Sequence, residues 1–250
     1  SNLINYPPNY GPPLNVSLSR NSFEVQSDNK VVIFSQYIYY SGSTSRGICR
    51  LNSDGSLDPT YSSAAGVGLN SFTFSSFIDA QDRIVVGGFF TTFSGYGGNR
   101  NRYIIRIDSG GTLDSSWNVL GGAPSAGLKA VKKLSNGNIL VGGPFASYTY
   151  QDGGVSYARG GKLSLLDGNG TLIIDKFSGL TNSTTEILAI EDVGDGVLVA
   201  GQSGTTWSDG IISITGTSLV KYDYDGKLIS SFSGKVSGET TLIKKTYDSK

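Results

Sequence analysis

Four glycines, Gly55, Gly111, Gly170 and Gly226, recur at intervals of 56, 59 and 56 residues inside one shared pattern. No other feature constrains the fold as strongly. A chain with this period builds one supersecondary unit several times, and the copies must stack, because a single small sheet leaves an apolar face open. The pattern reads Leu51-Asn52-Ser53-Asp54-Gly55-Ser56-Leu57, Ile107-Asp108-Ser109-Gly110-Gly111-Thr112-Leu113, Leu166-Asp167-Gly168-Asn169-Gly170-Thr171-Leu172 and Tyr222-Asp223-Tyr224-Asp225-Gly226-Lys227-Leu228. A glycine behind Asp or Asn, between apolar residues, is a hairpin signal, since such turns need positive φ.

About twenty residues before each of these motifs stands an apolar run: Val31 to Ser35, Ile84 to Gly88, Ile139 to Gly143, and Val197 to Gly201. A polar turn precedes each run, and another strand-like stretch precedes the turn. The unit therefore reads strand, polar turn, apolar strand, long variable loop, strand, tight turn, strand. No segment carries a convincing 3.6-residue period, so no substantial helix is expected. Four antiparallel strands in 50 to 60 residues is the plan of a β-propeller blade. The expected architecture is all-β: a β-propeller of four-stranded antiparallel blades at 21–69, 70–128, 129–185 and 186–239. The start of a fifth is expected from 240, and 1–20 should be an extended arm or lead-in strand.

Composition agrees. Glycine is 35 of 250 residues, about twice the usual share, and charged residues are only 16%. With 38% hydrophobic residues, this suits many short strands and turns rather than disorder. The 20 basic and 20 acidic residues give zero formal charge, so no nucleic-acid partner is expected. No apolar run approaches the ~18 residues of a membrane helix, and no membrane insertion is expected. Ser1 to Gly11 is polar and proline-rich, without a signal-peptide core. The chain contains no Met, which suggests a processed product or part of a longer polypeptide.

The chain contains no histidine, which removes Ser-His-Asp triads, Cys-His nucleophiles and His-ligated metals together. The lone Cys49 excludes an internal disulfide and a Cys-based zinc site, and its apolar surroundings suit a small buried thiol. Ser27-Asp28-Asn29-Lys30 matches Ser-x-x-Lys formally, but it lies in a turn rather than on one helical face. Paired carboxylates could serve a glycosidase, and Asp54, Asp58, Asp114, Asp167 and Asp225 are the candidates for that role. Most recur beside the turn glycine, where Asp and Asn suit the backbone. Asp167-x-Asn169-x-Thr171 and Asn52-x-Asp54-x-Ser56 have alternate oxygen donors but lack the further acidic ligands calcium needs. No catalytic residue, cofactor or metal is expected.

Aromatic residues crowd the loops after the second strand. The positions that recur between units, such as Phe90, Phe93 and Phe145, suit blade packing. Tyr96, Tyr148, Tyr150, Tyr157 and Trp207 are the candidate contacts for a partner chain or surface glycan, because exposed Tyr and Trp give large contact area at low entropy cost.

Taken in order, Ile139 to Phe145, Ile84 to Phe90 and Arg50 to Asp58 resemble the delta-60 repeat family of β-propeller proteins, over roughly residues 21–250. Similar repeats occur in bacterial surface proteins and phage virion proteins, mostly without assigned activity. The resemblance implies a non-enzymatic structural or interaction module in a virion, tail-associated or extracellular assembly, with other protein chains as partners. A carbohydrate- or receptor-binding adhesin is the alternative, and a propeller glycosidase or lyase the third.

Overall fold

In this computed structural model the chain is described over residues 15–16, 23–40, 43–94, 102–118, 122–152, 155–177, 186–202 and 205–232. Its elements are β1 (Asn15–Val16), β2 (Phe23–Val25), β3 (Val31–Tyr40), β4 (Ser43–Leu51), α1 (Pro59–Ala65), β5 (Thr73–Ile78), β6 (Ile84–Gly88) and β7 (Ile104–Ile107). They continue with β8 (Ala123–Pro124), β9 (Ala130–Lys133), β10 (Ile139–Gly142), β11 (Ser147–Asp152), β12 (Val155–Gly160), β13 (Leu163–Leu166) and β14 (Leu172–Ile173). The last are β15 (Ile187–Asp192), β16 (Val197–Gly201), β17 (Trp207–Ser208), β18 (Ser213–Ile214) and β19 (Leu219–Tyr222).

Four antiparallel sheets repeat one plan: β2-β3-β4, β5-β6-β7, β9-β10-β13 and β15-β16-β19. In each, the apolar run is the middle strand. The expected fourth strand is shorter than a blade's. It survives as β14 in unit three and as single bridges, Leu51 to Leu57, Ile107 to Leu113 and Tyr222 to Leu228, elsewhere. β1 pairs with the far end of β3, and the rest of the expected lead-in arm lies outside the described residues, as does the start of a fifth unit. No strand pairing joins the first sheet to the fourth among the described residues.

The four glycines occupy equivalent hairpins. Their φ angles are +84, +100, +81 and +80°, and each donates its N–H to the carbonyl three residues back, Asn52, Asp108, Asp167 or Asp223, at 2.9 to 3.1 Å. Only glycine adopts that backbone without a steric cost.

The units stack face to face, and the pairing is the same at each junction. Val32, Phe34 and Ile48 of unit one pack with Ile84, Val86, Ile105 and Ile107 of unit two. Val85 and Ile104 of unit two pack with Val131, Ile139, Val141 and Leu166 of unit three. Leu140, Leu163 and Leu165 of unit three pack with Ile190, Val197, Val199 and Val220 of unit four. Because side chains alternate along a strand, each unit has a forward face and a backward face. The first strands lie side by side in the order β2, β5, β9, β15.

Close approach at these junctions is set by one position of the middle strand. It is Phe34, Gly87, Gly142 and Ala200 in the four units. A Cβ on Gly87 would lie 2.3 Å from a Val131 methyl, and one on Gly142 would lie 2.5 Å from an Ile187 methyl. A second recurring contact seats an aromatic ring of one unit on the hairpin glycine of the next. Tyr61 lies over Gly111, Trp117 over Gly170 and Phe177 over Gly226, each within about 3 Å of where a Cβ would stand. Cys49 is buried, which pushes its thiol up to about 12.

Two parts of the fold differ from the sequence expectation. α1 is a helix of two turns, with Asp58 capping the Thr60 and Tyr61 amides and Pro59 at its start. The segment from Phe145 to Lys162, expected as a loop, contains the β11–β12 hairpin, which joins β8 in a sheet of its own.

Candidate functional site

The candidate catalytic carboxylates have structural partners. Asp58 Oδ2 accepts from Arg50 Nη2 at 2.8 Å and Nε at 3.1 Å, while Oδ1 accepts from the Thr60 hydroxyl at 2.6 Å. The Thr60 bond, with Arg50 and the Tyr61 amide helping against burial, holds its carboxyl well below the usual range. Asp114 repeats the arrangement with Arg106 Nε at 2.8 Å and the Ser116 hydroxyl at 2.5 Å. Burial opposes ionisation there, but those bonds prevail and its carboxyl also titrates low.

Each arginine also reaches forward into the next unit. Arg50 Nη1 donates to the Ser109 carbonyl at 2.8 Å and lies over the Tyr61 ring, and Arg106 stands in the same relation to Gly168 and Trp117. Asp167 Oδ1 accepts from the Asn169 and Thr171 amides of its own hairpin at 2.9 and 2.8 Å. Asp54 accepts from Ser56, and Asp225 pairs with Lys176. Among the described residues, no group of three or more His, Cys, Asp or Glu is placed to hold a metal. Ser27 Oγ donates to Asp82 across the junction between units one and two, so Ser27 and Lys30 belong to a turn and not to a nucleophile pair.

A polar row that the sequence reading missed runs along the first strands. Ser76 Oγ donates to Glu24 Oε1 at 2.6 Å, and Lys132 Nζ contacts both oxygens of Glu191 at 2.9 and 2.8 Å. Burial raises the Glu24 carboxyl, with Ser76 and Lys132 opposing. The signal was present in register: Glu24, Lys132 and Glu191 face Val32, Leu140 and Leu198, the second residue of each apolar run.

The aromatic candidates divide. Tyr148 and Trp207 are fully buried, which corrects their expected role as contacts. Tyr148 packs with Val141, Phe145 and Leu166. Trp207 packs with Val199 and Val220, and its indole N–H donates to the Thr217 carbonyl at 2.8 Å. Tyr96 lies outside the described residues. Tyr150 and Tyr157 are directly paired across β11 and β12, with ring centroids 5.1 Å apart and planes 17° apart. Tyr150 is the buried member and Tyr157 is 42% exposed, beside exposed Val155. The β17–β18 hairpin likewise turns its apolar tip outward. Ile211 is 80% exposed, while Asp209 anchors the tip by accepting from the Ile211, Ile212 and Leu228 amides. The stretch Asp209-Gly210-Ile211-Ile212, without counterpart in other units, was the signal for it.

Two segments, 26–61 and 82–116, match the family model of a β-propeller domain of unknown function, DUF5122. They cover less than a third of the chain and fall on units one and two, including both Arg–Asp pairs. The match supports a β-propeller domain. Among solved structures, the chain resembles an α-L-arabinofuranosidase from Clostridium thermocellum, at 16% identity over 90% of this chain and 74% of that one. The TM-score of 0.34 is too low to carry an argument about this chain. No curated protein matches. No described helix is long and apolar enough to cross a membrane.

Proposed function

We propose that the chain is a β-propeller module of the delta-60 repeat type that binds other protein chains and performs no chemistry. The observation that carries this reading is the contrast between its recurring and its non-recurring residues. The recurring carboxylates hold hairpins and Arg–Asp pairs, whereas the β11–β12 hairpin presents Tyr157 to solvent, stacked on the buried Tyr150. Function concentrates on such variable segments because the scaffold residues are already engaged. Tyr157, backed by the Tyr150 ring, is the contact residue of this reading, and Ile211 is a second exposed apolar point.

The setting proposed is a virion or extracellular surface assembly, a reading that rests on the delta-60 resemblance. A surface glycan is the alternative ligand, favoured by the same stacked tyrosines, because an aromatic face suits a sugar ring as well as a protein side chain.

Incorporation of the chain into its native assembly tests the reading. Tyr157→Ala should weaken incorporation while leaving the unfolding temperature nearly unchanged. Normal incorporation of the variant would move the contact elsewhere, and sugar release from a glycan panel by the wild-type chain would overturn the non-enzymatic assignment.

A further inference from the structure

Asn136-Gly137 and Asn169-Gly170 are the two Asn-Gly pairs of the sequence, and both lie in unit three. The first sits in the turn between β9 and β10, the second in the hairpin between β13 and β14. Such a pair is chemically vulnerable, because glycine has no side chain to shield its amide nitrogen from the asparagine side-chain carbonyl carbon. The two turns have the same local form. Gly137 and Gly170 have φ of +87 and +81°, and their N–H groups donate to the Leu134 and Asp167 carbonyls at 2.9 and 3.0 Å. Closing a ring between glycine nitrogen and asparagine side chain therefore breaks the same backbone bond at either place.

Their surroundings separate them. Gly170 is buried beneath Trp117, whose ring carbons would stand 2.6 to 2.9 Å from a Cβ there, and the Asn169 carbonyl accepts from the Asn118 N–H at 2.7 Å. Ring closure at Asn169 must break that further bond and push against the indole. A Cβ on Gly137 would meet nothing within 4 Å, and Asn136 is exposed. The turn also suits the acid that results. Unit one carries Asp28 at the same position, where its Oδ1 accepts from the Lys30 N–H at 3.1 Å, as Asn136 Oδ1 accepts from the Asn138 N–H at 3.0 Å.

The Asn136 turn holds unit four. The Ser135 N–H donates to Asp192 Oδ2, Ser135 Oγ meets the Tyr224 hydroxyl at 2.8 Å, and that hydroxyl donates to Asp192 Oδ1 at 2.6 Å. We propose that Asn136 deamidates spontaneously in the folded chain and that its conversion loosens the junction between units three and four. The Gly137 nitrogen gives its proton to base and bonds to Asn136 Cγ, and the bond from Cγ to the side-chain nitrogen breaks, releasing ammonia. Water then opens the imide at either carbonyl, leaving aspartate, or isoaspartate with the main chain running through the former side chain. Both products place a new negative charge one residue from the amide that holds Asp192, and like charges repel. Isoaspartate also adds a methylene inside the turn closed by the Leu134 N–H bond to the Asn138 carbonyl, which shifts Ser135 from its partners. None of this depends on the Tyr157 surface.

Incubation of the full chain at mildly alkaline pH, followed by peptide mass mapping, tests the site. The acid form should accumulate at Asn136 about fivefold faster than at Asn169 or more, the factor that one additional hydrogen bond supplies. In urea the two rates should converge, because Trp117 and Asn118 no longer act. Equal rates in the folded chain, or a difference that persists in urea, would overturn the assignment. The consequence is read separately by thermal unfolding. Aged wild type should unfold at lower temperature than fresh protein, whereas Asn136→Gln and Asn136→Ser, aged alike, should keep their own values. Fresh Asn136→Asp, with the charge but not the methylene, should fall between fresh and fully converted wild type. An unchanged unfolding temperature after conversion at Asn136 would overturn the effect on the junction.

Discussion

Arg106 and Asp114 form a buried ion pair at 2.8 Å in unit two, and the corresponding positions of unit three are Leu165 and Ile173, paired directly across β13 and β14. The same place in the repeat thus accepts either a charged or an apolar pair, and in unit four, where it holds Lys221 beside Ile229, the lysine pairs instead with Asp195 at 2.6 Å. A buried pair gains little over apolar residues of similar shape, whereas removing one partner strands the other charge. Arg106→Leu alone should destabilise the chain by about 3–5 kcal/mol, the usual cost of an orphaned buried charge. Adding Asp114→Ile should recover most of that loss. Urea unfolding of the two variants would show it; equal instability would mean that the bond from Arg106 to the Gly168 carbonyl is the larger contribution.

Acid should act on the same pairs. The carboxyls of Asp58, Asp114 and Asp209 all titrate below the ordinary 3.8 in the folded chain. A depressed carboxyl contributes stability that is fully present above the unfolded value and lost as pH falls through the folded one. The unfolding temperature should therefore hold down to about pH 4 and drop below it. Asp58→Asn should be less stable at neutral pH and show a shallower acid decline.

The hairpin glycines separate backbone strain from steric contact. Gly55 and Gly170 have φ of +84 and +81°, but only Gly170 has a ring, that of Trp117, against it. Gly55→Ala should cost about 1–2 kcal/mol from left-handed backbone alone. Gly170→Ala should cost clearly more, because Trp117 must also move. Comparable denaturation midpoints for both would show that the ring yields freely.

Two aromatic residues named together from sequence should behave oppositely. Trp207→Ala empties a fully buried site and should cost about 3–5 kcal/mol. Tyr157→Ala loses a half-exposed ring stacked on Tyr150 and should cost about 1 kcal/mol. Thermal unfolding of the pair distinguishes them.

The period, the hairpins and the middle strands were legible because they rest on local chemistry. β6 and β16 begin and end where their apolar runs do, and the glycines take the φ that their turns demand. α1 was hidden although its cap was visible: Asp58 and Pro59 are start signals, but seven residues are too few to display a helical period. The β11–β12 hairpin was hidden because its tyrosines alternate in a stretch without an apolar run. Which tyrosine points inward could not be read at all. Tyr148, Tyr150 and Tyr157 differ in burial because of the elements laid over them, and that is a property of the assembled units. The axial row of Glu24, Lys132 and Glu191 needed only an alignment of first strands that the apolar runs had drawn attention away from.

The residues at the Phe34, Gly87 and Gly142 position make the order of the units a matter of fit. Val131 fits where Gly87 leaves room, and Ile187 fits where Gly142 does. If unit three were placed directly after unit one, Val131 would face the Phe34 side instead of a glycine. The first junction is therefore not interchangeable with the two that close on Gly87 and Gly142, although the units share a backbone plan. During synthesis, near-identical neighbours are prone to exchange partners and trap the chain in swapped arrangements. Mismatched side-chain volumes penalise those arrangements while sparing the correct one. Divergence between the repeats at this one position would thus act as a proofreading code for assembly, and making the four positions identical should lower the yield of refolding even where each junction could still be packed.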